Sequence, residues 1–195
     1  MATAAPVWNL ANGVTVARIL LVPLVVIFLL LDGGEGGGWR WAAAGAFGLA
    51  AATDRLDGWL ARRLDQVTDW GKLVDPIADK LLVGASLVML SILGDLPWWV
   101  TVVILVRELG ITAMRLAVLR YVVIPASPGG KLKTVLQSVG IALFLLPLDS
   151  LPSWLTVVAW VLVVAAVVVT VVTGLDYLRR GWQVRREASA QPGGA

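Results

Sequence analysis

Four aspartates stand at helical spacing in a chain whose long segments are otherwise apolar: Asp54 and Asp57, then Asp75 and Asp79. They belong to a denser polar string, Asp54-Arg55-Leu56-Asp57-Gly58-Trp59-Leu60-Ala61-Arg62, followed after eight residues by Gly71, Asp75 and Asp79. The separations are i, i+3 and i, i+4, so the carboxylates of each half converge on one helix face. A charged side chain at bilayer depth is costly and is rare without a function. Four carboxylates brought together repel unless cations neutralise them. The pattern therefore predicts a site for one or two divalent metal ions between two membrane helices.

Composition says which elements must position these groups. The 195 residues are 58% hydrophobic, with a mean hydropathy of +0.84, too apolar for a soluble domain of this length. Several runs reach about 20 apolar residues, the length needed to cross a hydrocarbon core of roughly 30 Å. The chain has no cysteine and no histidine, so disulfides are excluded and the commonest zinc ligand and general base are missing. Oxygen ligands alone favour magnesium, manganese or calcium. A formal charge of +3 is small, and nothing in it points to nucleic acid. No cleavable signal peptide is expected, because residues 1–11 lack a basic start and the first apolar run is long enough to stay as an anchor.

Hydropathy predicts an all-α integral membrane bundle of about six spans, roughly 12–31, 40–62, 72–93, 97–120, 132–149 and 153–178. The organisation expected is a juxtamembrane segment 1–11, a six-span catalytic domain 12–178 and a basic tail 179–195, disordered from residue 188 onward. Connections 32–39, 94–97 and 149–152 hold no lysine or arginine. The opposite connections carry Arg62, Arg63, Lys72, Arg120, Lys131 and Lys133, and the tail carries Arg179, Arg180, Arg185 and Arg186. By the positive-inside rule both termini and the basic loops are cytoplasmic. Trp39, Trp41, Trp98, Trp99 and Trp154 fall at outer ends, and Trp8, Trp70 and Trp182 at inner ends, where indole rings anchor helices at headgroup level. The glycine-rich connection 32–39 reads as a flexible link, and the last span, rich in valine and alanine, as lipid-facing.

Helical rise places the carboxylates. Counting from Arg62, Asp57 lies roughly 7 Å and Asp54 roughly 12 Å inside the membrane; counting from Gly71, Asp75 lies roughly 6 Å and Asp79 roughly 12 Å inside. Antiparallel neighbours would thus match Asp54 with Asp79 and Asp57 with Asp75. Gly58 and Ala61 continue the face of Asp54 and Asp57, either leaving room for a ligand or closing a helix contact. Arg62 is placed to grip phosphate oxygens bidentately or to snorkel to the surface.

The pattern Asp54-x2-Asp57-Gly58-x2-Ala61-Arg62-x8-Gly71-x3-Asp75-x3-Asp79 resembles the complete signature of the CDP-alcohol phosphotransferases, with no position departing from it. The resemblance implies that Asp54, Asp57 and Asp75 hold one Mg2+ or Mn2+ ion, and Asp54, Asp75 and Asp79 a second. It implies that Gly58, Ala61, Arg62, Thr68 and Gly71, with Asn12 and Thr15, bind CDP-diacylglycerol. Asp79 would accept the proton of the attacking alcohol, whose oxygen displaces CMP. The family also implies a homodimer in the cell's inner (plasma) membrane.

Softer segments resemble the branch of that family that makes phosphatidylglycerophosphate. They are Asn12-x2-Thr15-x2-Arg18, Asp75-Pro76-Ile77-Ala78-Asp79-Lys80, Arg107-Glu108-Leu109-Gly110-Ile111-Thr112, and Gly130-Lys131-Leu132-Lys133-Thr134 with Gln137. The acceptor implied is glycerol 3-phosphate, its phosphate met by Arg107, Arg115, Lys131 and Lys133. Arg107 and Glu108 also admit reading as a structural ion pair, and the lysines as topology signals. Inositol phosphate or phosphatidylglycerol is the alternative acceptor. A cation channel or transporter is the alternative class, disfavoured because the acids occupy only the cytoplasmic half and no inverted repeat follows.

The orientation is testable because no native cysteine interferes. A cysteine introduced in connection 32–39 should react with a membrane-impermeant reagent added outside, and Ser189→Cys should be protected until the membrane is opened. Outside labelling at position 189 would reverse the topology.

Overall fold

The computed structural model describes residues 10–63, 68–118 and 128–190, with side chains described for 12–53, 68, 74–114, 132–177 and 179. Six helices account for nearly all of it: α1 (Leu10–Asp32), α2 (Gly38–Arg63), α3 (Asp69–Ile92), α4 (Trp98–Val118), α5 (Pro128–Phe144) and α6 (Ser153–Ala190). There is no strand among the described residues. Two of the helices, over Asn12–Asp32 and Ser153–Tyr177, are long and apolar enough to cross a membrane by that measure alone. The others are interrupted by the polar groups that concern function.

Helix ends follow local chemistry. Gly33 and Gly94 take left-handed φ values of 59° and 86° just beyond α1 and α3, where a side chain would be strained. Pro97 and Pro152 stand immediately before α4 and α6, where a missing N–H costs nothing. α5 stops at Phe144, five residues short of the expected span end. Pro147 cannot continue the ladder, and a 3-10 turn at Leu148–Ser150 fills the gap. α6 departs the other way, running to Ala190 and taking in both the expected domain boundary at 179 and the first residues expected to be disordered. No proline interrupts it before Pro192. At about 1.5 Å per residue its 38 residues extend about 57 Å, well beyond a hydrocarbon core of roughly 30 Å.

Packing runs around the bundle in the order α2, α1, α3, α4, α6, α5, with lighter contacts from α5 to α2 and α3. Among the described residues α1 lies against both α2 and α3. The core is apolar, with Val25 and Leu29, Phe47, Leu87 and Leu90, Ile104, Ile141 and Leu145, and Val163 all buried. Val157, Val161, Val164, Val168, Val172 and Leu175 form an exposed stripe on α6, as a lipid-facing helix requires. Trp39, Trp41, Trp98, Trp99 and Trp154 are exposed at the expected outer end.

That end is more ordered than a flexible link. Asp32 accepts the backbone N–H groups of Gly36 (3.2 Å) and Gly37 (2.9 Å). Arg40, only 3% exposed, donates to Asp95 (2.6 Å) and to the Phe144 carbonyl (2.9 Å), with Asp32 3.9 Å away. One guanidinium thereby ties the start of α2 to the ends of α1, α3 and α5.

Among the described glycines the closest approach is at Gly140, where an added Cβ would stand 2.8 Å from Val163 Cγ2 and 3.4 Å from its backbone nitrogen. Gly140→Val should therefore destabilise the α5–α6 pair by about 1–3 kcal/mol. Gly110→Ala, where a Cβ meets nothing within 4 Å, should leave stability unchanged or raised. Thermal unfolding in detergent compares the two. Equal melting temperatures would show that α5 and α6 are not closely packed there.

Candidate active site

α3 brings Asp75 and Asp79 one turn apart, and the neighbouring helices give each a distinct setting. Thr15 of α1 donates its hydroxyl to Asp75 Oδ1 at 2.7 Å. A hydrogen bond of this kind fixes the orientation of a metal-ligating carboxylate. One turn earlier on α1, Asn12 exchanges hydrogen bonds with Thr68 across the α2–α3 connection, at 2.9 and 3.1 Å. Arg18, one turn later, is 1% exposed. The segment Asn12–Arg18 thus lines α1 with polar groups on the side that meets α3. Of the residues expected at CDP-diacylglycerol, Thr15 bears directly on Asp75, and Thr68 is held beside Asn12.

Asp79 stands where two cavities meet. The larger, about 640 Å³, lies between α2 and α5 and is lined by Trp41, Ala44, Gly45, Gly48, Ala51 and Ala52 on one side and by Val135, Ser138, Val139 and Ala142 on the other. Small residues along α2 hollow it out. The smaller, about 50 Å³, is bounded by α3, α4 and α5 and is lined by Asp79, Lys80, Glu108, Lys133, Gln137 and Ser138 among others. Asp79, Thr134 and Ser138 line both.

The charges around the smaller cavity are matched. Glu108 accepts from Arg107 at 3.0 Å and from the ammonium of Lys133. Lys80 donates to the Thr112 hydroxyl, which in turn donates to the Glu108 carbonyl at 2.7 Å. Arg107 also donates to Thr173 of α6 at 2.9 Å. Buried charges are tolerated when paired in this way. Arg107 lines neither cavity and joins α4 to α6, whereas Lys133 lies in the cavity wall with its charge on Glu108. Arg107 and Glu108 thus form the ion pair that the sequence admitted, and of the two only Glu108 lines the cavity.

Several predicted residues fall outside what is described. Asp54, Asp57, Gly58, Ala61 and Arg62 lie in α2, Gly71 in α3, Arg115 in α4 and Lys131 in α5, but their side-chain surroundings lie outside the described residues. No group of three carboxylates able to hold an ion is therefore present among the described residues. The donor set fits a hard divalent cation: Asp75 and Asp79 share a face of α3, the hydroxyl of Thr15 orients one of them, and α2 carries Asp54 and Asp57. Sequence reasoning gave no role to Arg40, Lys80, Ser138 or Gln137. An ionisable residue inside a span was the available signal for Lys80.

Comparison with known proteins agrees with this arrangement. The profile of the CDP-alcohol phosphatidyltransferase family matches residues 8–172. A Mycobacterium tuberculosis protein named "probable phosphatidylglycerophosphate synthase" is 54% identical over 172 residues, covering 88% of this chain and 81% of the relative. The CDP-diacylglycerol–glycerol-3-phosphate 3-phosphatidyltransferase of Bacillus subtilis is 36% identical over 197 residues, covering 93% and 100%. That of Pseudomonas fluorescens is 35% identical over 189 residues, covering 89% and 90%. With its aspartate signature intact and the match spanning all six helices, the chain belongs to the CDP-alcohol phosphatidyltransferase family.

Proposed function

We propose that this protein transfers the phosphatidyl group of CDP-diacylglycerol to glycerol 3-phosphate, giving phosphatidylglycerophosphate and CMP. The observation that carries the reading is the position of Asp79, shared by an apolar groove and a small polar cavity. A lipid-linked diphosphate can lie along the first with its reacting phosphorus near α3, and one hydroxyl-bearing carbon of the acceptor can enter the second. The relatives named above carry names that specify these two substrates.

In the step proposed, the primary hydroxyl oxygen of the acceptor bonds to the lipid-linked phosphorus. The bond from that phosphorus to the departing CMP oxygen breaks, and the hydroxyl proton passes to the Asp79 carboxylate. Asp54, Asp57, Asp75 and Asp79 would hold two Mg2+ or Mn2+ ions, which when bound neutralise charge on the diphosphate. Thr15 keeps Asp75 turned toward that site. Gly58, Ala61, Arg62, Thr68 and Gly71, with Asn12, would receive the CDP moiety. Lys131 and Arg115, near the ends of α5 and α4, would supply positive potential for the acceptor's phosphate, whereas Lys133 and Arg107 are engaged by Glu108. The protein would work as a homodimer in the inner membrane, with both termini and the site on the cytoplasmic side.

Asp79→Asn should lower CMP release by at least about a hundredfold, the usual contribution of a positioned base, while binding of CDP-lipid persists. Chelation of divalent ions should stop turnover. Undiminished activity in excess chelator would overturn the reading.

The groove gives a separate test. A Cβ at Gly48 meets nothing within 4 Å, so Gly48→Leu fills the groove without disturbing the core. Its KM for long-chain CDP-diacylglycerol should rise several-fold, at about 0.8 kcal/mol per buried methylene forfeited. Dioctanoyl substrate should suffer less, and the KM for glycerol 3-phosphate should not change. Equal effects on both chain lengths would remove the groove from the lipid site.

A further inference from the structure

Gln137 is the residue of the smaller cavity that the reaction as described does not use. It sits one turn beyond Lys133 on α5, is 4% exposed and lines the cavity beside Asp79. Its amide oxygen Oε1 is buried and receives no hydrogen bond. A buried carbonyl oxygen without a donor is destabilising, and such atoms are uncommon unless a ligand or water completes them. The other polar groups of the wall narrow what that ligand can be. The ammonium groups of Lys80 and Lys133 are engaged by Thr112 and Glu108, so beside the Asp79 carboxylate the wall offers the Gln137 carbonyl oxygen and the Ser138 hydroxyl. An oxygen that only accepts calls for a donor, and a neutral hydroxyl supplies one without adding charge to a wall whose lysines are already engaged. The volume of about 50 Å³ has room for a water or a CH–OH group, each water taking roughly 30 Å³.

We propose that Gln137 reads the hydroxyl adjacent to the attacking one on a vicinal-diol acceptor. Oε1 accepts the hydrogen bond of that second hydroxyl, while Asp79, contributed by α3 to the same cavity, takes the proton of the first. In the absence of acceptor a water satisfies Oε1 and is displaced by a group that reproduces its hydrogen bond. This makes Gln137 a specificity-determining residue, since an alcohol lacking the second hydroxyl would leave Oε1 unpaired. The inference rests on the transferase reading above.

The test compares glycerol 3-phosphate with 3-hydroxypropyl phosphate, which keeps the primary hydroxyl and the phosphate but lacks the middle hydroxyl. The native protein, with CDP-diacylglycerol and magnesium, should prefer glycerol 3-phosphate by about ten- to a hundredfold in kcat/KM. Gln137→Met should bring the two acceptors to near equality by losing activity on glycerol 3-phosphate alone, with the KM for CDP-diacylglycerol unchanged. Gln137→Asn, which withdraws the oxygen by one methylene, should narrow the preference as well and serves if the methionine variant does not fold. Equal use of the two acceptors by the native protein, or variants that lose both in proportion, would overturn the assignment to Gln137 and leave the transferase reading standing. No lipid product from glycerol 3-phosphate with the native protein would remove that reading, and this inference with it.

Discussion

A charge inside an apolar bundle has to be met by another charge or a strong hydrogen bond, and that requirement decides which helices of this protein touch. Glu108 of α4 draws Arg107 and the Lys133 ammonium of α5 to itself, and Arg107 reaches on to Thr173 of α6. Asp75 of α3 takes the Thr15 hydroxyl of α1. At the outer end Arg40 gathers Asp95 and the Phe144 carbonyl. Each contact satisfies a group that would otherwise be stranded, and all but Arg107–Glu108, which lies within α4, tie separate parts of the bundle together. The polar residues are therefore the bundle's cross-ties as well as its chemistry.

The apolar groove lies between α2 and α5, where Ala44, Gly45, Gly48, Ala51 and Ala52 are too small to fill the gap. The polar cavity is bounded by α3, α4 and α5, which the Lys80–Thr112 and Glu108–Lys133 contacts join. Asp79 faces both because it stands on α3 at the level where the groove ends and the network begins. In the proposed reaction this separates an acyl-bearing donor from a water-soluble acceptor until they meet at one carboxylate. α1 matters here in a way its apolar composition hides, since it carries the groups that align Asp75 and brace Thr68.

The aspartate signature was legible because i, i+3 and i, i+4 spacing survives any tertiary arrangement, and because carboxylates inside apolar runs have few uses. The six helices were legible for a similar reason, each being an apolar run bounded by glycine, proline or charge. The errors came where local chemistry departs from what a hydropathy run shows. α5 ends early because Pro147 stops it, α6 continues because nothing does, and connection 32–39 is ordered because Asp32 binds its amides. Lys133 could be read as a topology signal or a phosphate ligand, but its partner Glu108 lies 25 residues away. Gln137 stood out in the sequence only within a segment that resembles one branch of the family, without a role of its own.

What the sequence alone determined is the chemistry available: oxygen ligands without histidine or cysteine, long apolar helices, and four carboxylates at helical spacing. These depend on residue type and on local periodicity, which the chain carries whatever its fold. What only the tertiary structure decided is which of those groups are already paired and which face open space. Lys133 is spent on Glu108, Arg107 is turned to α6, Asp79 borders two cavities, and the Gln137 oxygen is left buried without a donor. Pairing and open space are properties of distances between helices, and those distances follow from the packing of small residues and the matching of charges across the whole bundle.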